Sequence, residues 1–160
     1  MSKVFLSYSD KDHYFAERAV ERLAAADIEL WRDKGQLVPG TEWRKGIETG
    51  ISTSLAVLVA LSPDSAKSSY VTYEWAYAMG KGKHVIPLKL RQCKVHKRLD
   101  DLQALDFSVP MAQPWDRLIE LIREEEMKAR SALLPPSPEH VNAALGYVNQ
   151  LRHQLAVSKG

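Results

Sequence analysis

Residues 55–61 read Leu-Ala-Val-Leu-Val-Ala-Leu, seven consecutive apolar residues closed by Ser62-Pro63-Asp64. A run this short and this apolar, with Val57 and Val59 inside it, predicts a strand buried on both faces, which requires helices above and below the sheet. The rest of the chain supplies them. Short apolar runs alternate with amphipathic stretches, the pattern of a mostly parallel sheet covered by helices.

Val4-Phe5-Leu6 predicts the first strand, broken at Ser7-Tyr8-Ser9-Asp10. Asp10 or Asp12 is expected to cap the next helix by accepting orphan backbone N–H groups. That helix is expected to run to about residue 26, with Phe15, Ala19 and Leu23 on its buried face. Residues 28–31 predict a second strand, and the glycines and proline of 33–41 predict a loop. Trp43, Ile47 and Ile51 repeat every four residues on a helix that Gly46 and Gly50 weaken by roughly 1 kcal/mol each. Another helix is expected over 66–79, stopping at Gly80-Lys81-Gly82. A fourth strand is expected over 85–90, with Pro87 suggesting a strand end, bulge or edge. A fifth, weaker strand is expected over 106–109. Trp115, Leu118, Ile119 and Ile122 then mark a helix ending near residue 130.

Leu134-Pro135-Pro136-Ser137-Pro138 is the one linker-like segment, because its prolines stiffen the chain. Beyond it Val141, Ala144, Val148, Leu151 and Leu155 form an amphipathic stripe, too short for a coiled-coil assignment. The expected organisation is therefore a domain over 1–133 and a linker plus helix over 134–160. That tail is expected to pack on the domain or to lead into a further region.

The totals narrow the function. Of 160 residues, 45% are hydrophobic and 26% charged, an ordinary globular balance. A net charge of +2 does not point to nucleic acid, and the basic excess over 89–98 reads as a solvated loop. The single cysteine, Cys93, excludes an internal disulfide framework and favours a reducing compartment. The five histidines lack metal-ligand spacing, so no metal is expected. With no membrane-spanning run and no signal peptide, the expected location is cytoplasmic. The phosphate-binding, dinucleotide-binding, zinc-protease and nucleophile-elbow templates are all missing from the sequence.

In an open parallel sheet, ligands collect at the carboxyl ends of strands where the connections diverge. For a strand order 2-1-3-4-5 that crevice lies between strands one and three. It is bordered by residues 7–10, by the loop 33–41, and by Ser62 with the helix after it. On that helix Tyr70, Glu74 and Tyr77 share a face at i, i+4, i+7, a carboxylate flanked by aromatic rings. A mid-helix glutamate is ordinarily a solvated surface residue, so Glu74 is expected on an exposed face.

These segments together resemble TIR (Toll/interleukin-1 receptor) domains. Val4-Phe5-Leu6-Ser7-Tyr8-Ser9-Asp10 is similar to the family's opening box. Residues 33–40, ending Leu37-Val38-Pro39-Gly40, resemble the BB loop, and Trp43, Ile47 and 51–54 continue the match. Leu58-Val59-Ala60-Leu61-Ser62-Pro63 resembles the third strand and its exit. Ser68-Ser69-Tyr70-Val71-Thr72-Tyr73-Glu74 resembles the helix that carries the family's glutamate, and His84-Val85-Ile86-Pro87 the fourth strand. The likeness runs in order from residue 3 to about 125. It implies an α/β, flavodoxin-like three-layer sandwich around a central parallel five-stranded sheet in the order 2-1-3-4-5, with a C-terminal helical tail.

The resemblance also implies an activity. In the catalytically active members a glutamate at the position of Glu74 cleaves the nicotinamide–ribose bond of NAD+. Tyr70 matches the aromatic residue lining the nicotinamide end. Tyr8 and Ser9 match the first-strand exit, and Asp33 and Trp43 match ligand-facing positions around the BB loop. NAD+ is substrate here, and no cofactor is implied. Some members carry arginine just after that exit where this chain has Ser9-Asp10, so phosphate contacts fall to Lys34, Arg44 or a neighbouring subunit. The implied partners are further copies of the chain in an oligomer or filament built through BB-loop contacts, another TIR surface, or a fused sensor domain. The expected role is bacterial defence or virulence signalling, activated by self-assembly. The alternative is a non-catalytic TIR interaction module with a vestigial Glu74. A nucleoside deoxyribosyltransferase is a third reading, disfavoured by the BB-loop match.

Overall fold

The computed structural model describes residues 1–32, 42–133 and 138–159. The loop expected over 33–41, with Asp33 and Lys34, and linker residues 134–137 lie outside the described residues. The chain divides into two units, Met1–Met127 and Lys128–Gly160.

In the first unit, β1 (Ser2–Ser7), β2 (Ile28–Trp31), β3 (Ala56–Leu61), β4 (His84–Lys89) and β5 (Leu105–Asp106) form one sheet in the order β2-β1-β3-β4-β5. Every pairing is parallel. All six residues of β3 are buried, as its unbroken apolar run requires of a strand covered on both faces. The remaining elements are α1 (His13–Ala24), α2 (Trp43–Ser52), α3 (Pro63–Lys67), α4 (Ser69–Gly80), α5 (Lys97–Asp100) and α6 (Trp115–Leu133). The division between the units falls within α6.

Alternation along β1 sorts the core into two layers. Val4, Leu6 and Tyr8 join a cluster with Leu23 of α1 and Leu118 and Ile122 of α6. Phe5 points the other way, into a cluster with Ile47 and Ile51 of α2 and Val71, Trp75 and Ala78 of α4. Ser7 shares that second direction by period, and it is fully buried at the carboxyl end of β1.

Several expectations are corrected. The helix expected over 66–79 is two helices. Ser62 opens α3 with a reciprocal capping box to Ser65, and Ser68 then leaves helical geometry at ψ 119° and caps α4 by accepting from the Val71 N–H. The basic stretch 89–98 is not all solvated loop, for Lys89 ends β4 and Lys97–Asp100 form α5, which buries Leu99. On α1 the buried residues are Ala16, Ala19 and Leu23, with Phe15 only partly covered.

Pro87 lies inside β4, paired with Val59 of β3 and facing no β5 residue on its other side, so the strand is locally an edge there, one of the alternatives the sequence offered. The Lys89 carbonyl accepts from Phe107 on the β5 side, whereas the Leu90 N–H donates to Leu61 on the β3 side. Strand alternation therefore points the missing Pro87 donor toward β5. That strand pairs only with Leu88 and Lys89, so nothing there asks for the bond.

The second unit contains the last residues of α6 and a helix, α7 (Pro138–Lys159), with Pro138 at a helix start, where a missing N–H costs nothing. Leu145, Val148, Leu151 and Leu155 are between 41% and 63% exposed. No helix among the described residues is long and apolar enough to cross a membrane.

Candidate functional site

The parallel order places the divergence of connections between β1 and β3, with Ser7 beside Val59 at its carboxyl end. Glu74 reaches this point from α4. Its residue exposure is 1%, and the Ser7 hydroxyl donates to its Oε1 at 2.7 Å. The expectation of an exposed glutamate is wrong. Helix periodicity places Glu74 with Val71, Trp75 and Ala78 on the face that packs against the sheet. The aromatic residues with which it was grouped flank that buried stripe, Tyr70 being 51% exposed and Tyr77 half-buried. A carboxylate in this setting is costly to bury, and the aligned hydroxyl donor offsets part of that cost.

Trp43 opens α2 with no side-chain cap, and its ring meets Tyr70 edge-on at 5.0 Å and Tyr73 at 5.5 Å. Tyr73 stacks on Tyr77 at 6.1 Å, which extends the ladder along α4. The Arg44 guanidinium lies 5.4 Å from the Trp43 ring and 6.0 Å from Tyr73, within cation–π range. The Tyr73 hydroxyl donates to Glu48 Oε1; this bond, then burial and the Glu48 charge, push the phenol above its ordinary value. An open pocket of about 690 Å³ lies beside this ladder, bounded by Trp43, Arg44 and Glu48.

Of the site residues expected from sequence, the structure joins Trp43 to Tyr70 directly and puts Glu74 on the helix that carries Tyr70. Tyr8 is 3% exposed and belongs to the opposite core layer from Glu74. Ser9 caps the 3-10 turn Asp10–Asp12, accepting from the Lys11 N–H at 3.3 Å. Asp33 and Lys34 lie outside the described residues, and Arg44 is committed to the aromatic ladder.

Sequence reasoning missed Arg91 and the contacts that Ser7, Asp12 and Ser62 make. Ser7 appears there as a strand breaker on the border of the crevice and not as a partner of Glu74, although its place two residues after Phe5 is enough to aim it at α4. Asp12 is not a helix cap. It occupies the cap position of α1 without bonding there, and its wholly buried carboxylate accepts from Ser62 Oγ at 2.5 Å and from the Arg91 guanidinium. No local pattern links positions 12, 62 and 91. A separate pocket of about 380 Å³ beside Arg91, Cys93 and Leu99 does not include Glu74. Burial raises the Cys93 thiol there, against the pull of Lys89 and Arg91. Among the described residues no cluster of His, Cys, Asp and Glu could hold a metal.

An open, fully parallel sheet in the order β2-β1-β3-β4-β5, covered by helices on both faces, defines a flavodoxin-like α/β module, a fold in which ligands collect at the divergence point. The sequence places it more narrowly. Residues 4–122 match the model of the TIR domain, and the chain belongs to that family. No curated protein sequence matches it. Among solved structures, the chain is similar to the TIR domain of the Toll-related receptor TRR-2 from Hydra magnipapillata. The TM-score is 0.67 at 25% identity, covering 75% of this chain and 97% of that one. The TIR domains of the activated Roq1 resistosome, which directly recognises the pathogen effector XopQ, match with TM-score 0.57 at 15% identity, covering 78% and 99%. A 2-deoxyribosyltransferase from Bacillus psychrosaccharolyticus matches equally well in fold, at TM-score 0.57 and 14% identity, covering 74% and 90%.

Proposed function

We propose that this TIR domain is an NAD+ nucleohydrolase in which Glu74 is the catalytic carboxylate. The observation that carries the reading is the buried Ser7–Glu74 pair at the divergence point of the sheet. Nicotinamide leaves NAD+ as a neutral molecule from a pyridinium cation, so the reaction needs no general acid. It needs stabilisation of an oxocarbenium-like ribose, as other glycosidic cleavages do. A carboxylate fixed in a dry, preorganised setting supplies that stabilisation electrostatically. Ser7 holds one carboxyl oxygen, which fixes the orientation of the group. The exposed Tyr70 ring and the Trp43 ring against it offer faces for the nicotinamide or adenine. Water attack on the ribose gives ADP-ribose, and attack by an adenine nitrogen of the same molecule gives a cyclic product. Self-association of the domain is part of this proposal.

The test is release of nicotinamide from NAD+, followed chromatographically, for the wild-type chain and for Glu74→Gln. The variant keeps the side-chain volume and an acceptor for Ser7. Turnover should fall by about 100-fold or more, as for loss of a principal transition-state electrostatic group. Wild-type turnover in the variant removes Glu74 from catalysis. A folded wild-type chain that releases no nicotinamide, dilute or concentrated, leaves the non-catalytic interaction module as the better reading.

A further inference from the structure

We propose that Asp12 and Arg91 are positioning residues for the substrate side of the crevice, acting through the turn that carries Tyr8 and Ser9. The inference rests on the reading of this crevice as a substrate site. The Asp12 side chain is entirely buried, and Arg91 is 53% exposed at the exit of β4. Ser62, the third member, is the fully buried residue that ends the β3 run and caps α3. One carboxylate thus joins the turn after β1, the exit of β3 and the exit of β4. All three lie at the carboxyl edge of the sheet, where ligands collect.

Three features argue that the network sets geometry and is not a by-product of folding. Asp12 stands where a helix cap would stand, yet makes no cap bond and spends its carboxylate on Ser62 and Arg91. The pair is buried on the Asp12 side alone, so it is weak evidence for stability, and the better-attested use of such a contact is to fix one arrangement among alternatives. The backbone is tied to the same point, because the Asp12 N–H donates to the Ser9 carbonyl at 2.8 Å. Releasing Arg91 removes one of the two side-chain bonds that anchor Asp12 at the end of the Tyr8–Asp12 turn, and so loosens that turn.

Glu74 is held independently. Its partner Ser7 belongs to the β1–β3 ladder, in register with Val59, and reaches it from the other layer of the core. The two sets of contacts separate binding from chemistry: the clamp governs the walls of the crevice, and the ladder governs the carboxylate.

The experiment uses the full chain with Arg91→Met and Arg91→Lys. Hydrogen exchange is read by mass spectrometry on peptides covering 8–12 and 70–80, alongside kcat and KM for NAD+. Arg91→Met should speed exchange over 8–12 by about tenfold and leave 70–80 unchanged. KM should rise about tenfold with kcat within about twofold, the signature of lost binding in a site whose chemistry is intact. Arg91→Lys should restore part of both effects, because an ammonium can reach the carboxylate without the planar fork. If Arg91→Met does not fold, Arg91→Lys carries the test, with smaller changes of the same pattern. Unchanged exchange over 8–12 in a folded variant overturns the inference, as does a fall in kcat with KM unmoved. A wild-type chain that releases no nicotinamide overturns the proposed function, and the exchange measurement then decides the clamp by itself.

Discussion

Glu74 and Tyr73 are neighbours in sequence with opposite surroundings. Glu74 faces the sheet, where Ser7 meets it; Tyr73 faces α2 and donates to Glu48. The Tyr73 bond has a pH signature. A phenol whose folded value is raised gives stability that is fully present below the ordinary tyrosine value of about 10 and is lost as pH rises through the folded value. Alkaline titration by phenolate absorbance should show a late tyrosine step that is missing in Tyr73→Phe and moved to lower pH in Glu48→Gln. A wild-type titration with no such step contradicts the Tyr73–Glu48 bond. At this scale the sequence was legible in identity more than in setting. The spacing of Tyr70, Glu74 and Tyr77 drew attention to the helix that carries the buried glutamate, but three residues of one stripe do not say which side the sheet is on. Val71, Trp75 and Ala78 carry that information, being the apolar stripe that Glu74 interrupts. The link from Asp12 to Ser62 and Arg91 was not legible, because it is made by tertiary packing across three connections.

Gly50 shows how an element depends on what it packs against. A Cβ there would stand 2.5 Å from the Trp31 ring, which itself lies 5.1 Å from Phe5. The glycine weakens α2 as an isolated helix, and it is also what admits the Trp31 ring to the helix surface. Gly50→Ala should gain about 1 kcal/mol of helix propensity and lose about 1–3 kcal/mol to overpacking, a net destabilisation. The urea midpoint should fall with the slope unchanged. A raised midpoint would show that Trp31 swings away at no cost. Element order and type were legible because the strands are short apolar runs and the main helices have a clear period. The break between α3 and α4 was not, because Ser68 is one residue among several serines and its cap bond gives no periodic signal. α5 escaped for a similar reason: four residues are too few for a period.

Among the described residues the two core layers are built from positions up to 122, so the first unit carries its own core. Truncation after Leu133 should therefore leave a soluble domain that melts cooperatively by circular dichroism, and an unfolded product would show that α7 belongs to the core. The helices on both sides of the sheet were foreseeable because a strand buried on both faces requires them, whereas the five-stranded order came with the family resemblance. The extent of each strand was not, and β5 is only two residues long. That brevity, with Pro87 beside it, bears on how copies of this protein can meet. Along the first half of β4 the outer side carries no paired strand, and Pro87 removes one of the few backbone donors a newcomer would need. That flank is thereby poorly suited to accept a foreign strand, whereas β2, at the other edge of the sheet, carries no such proline.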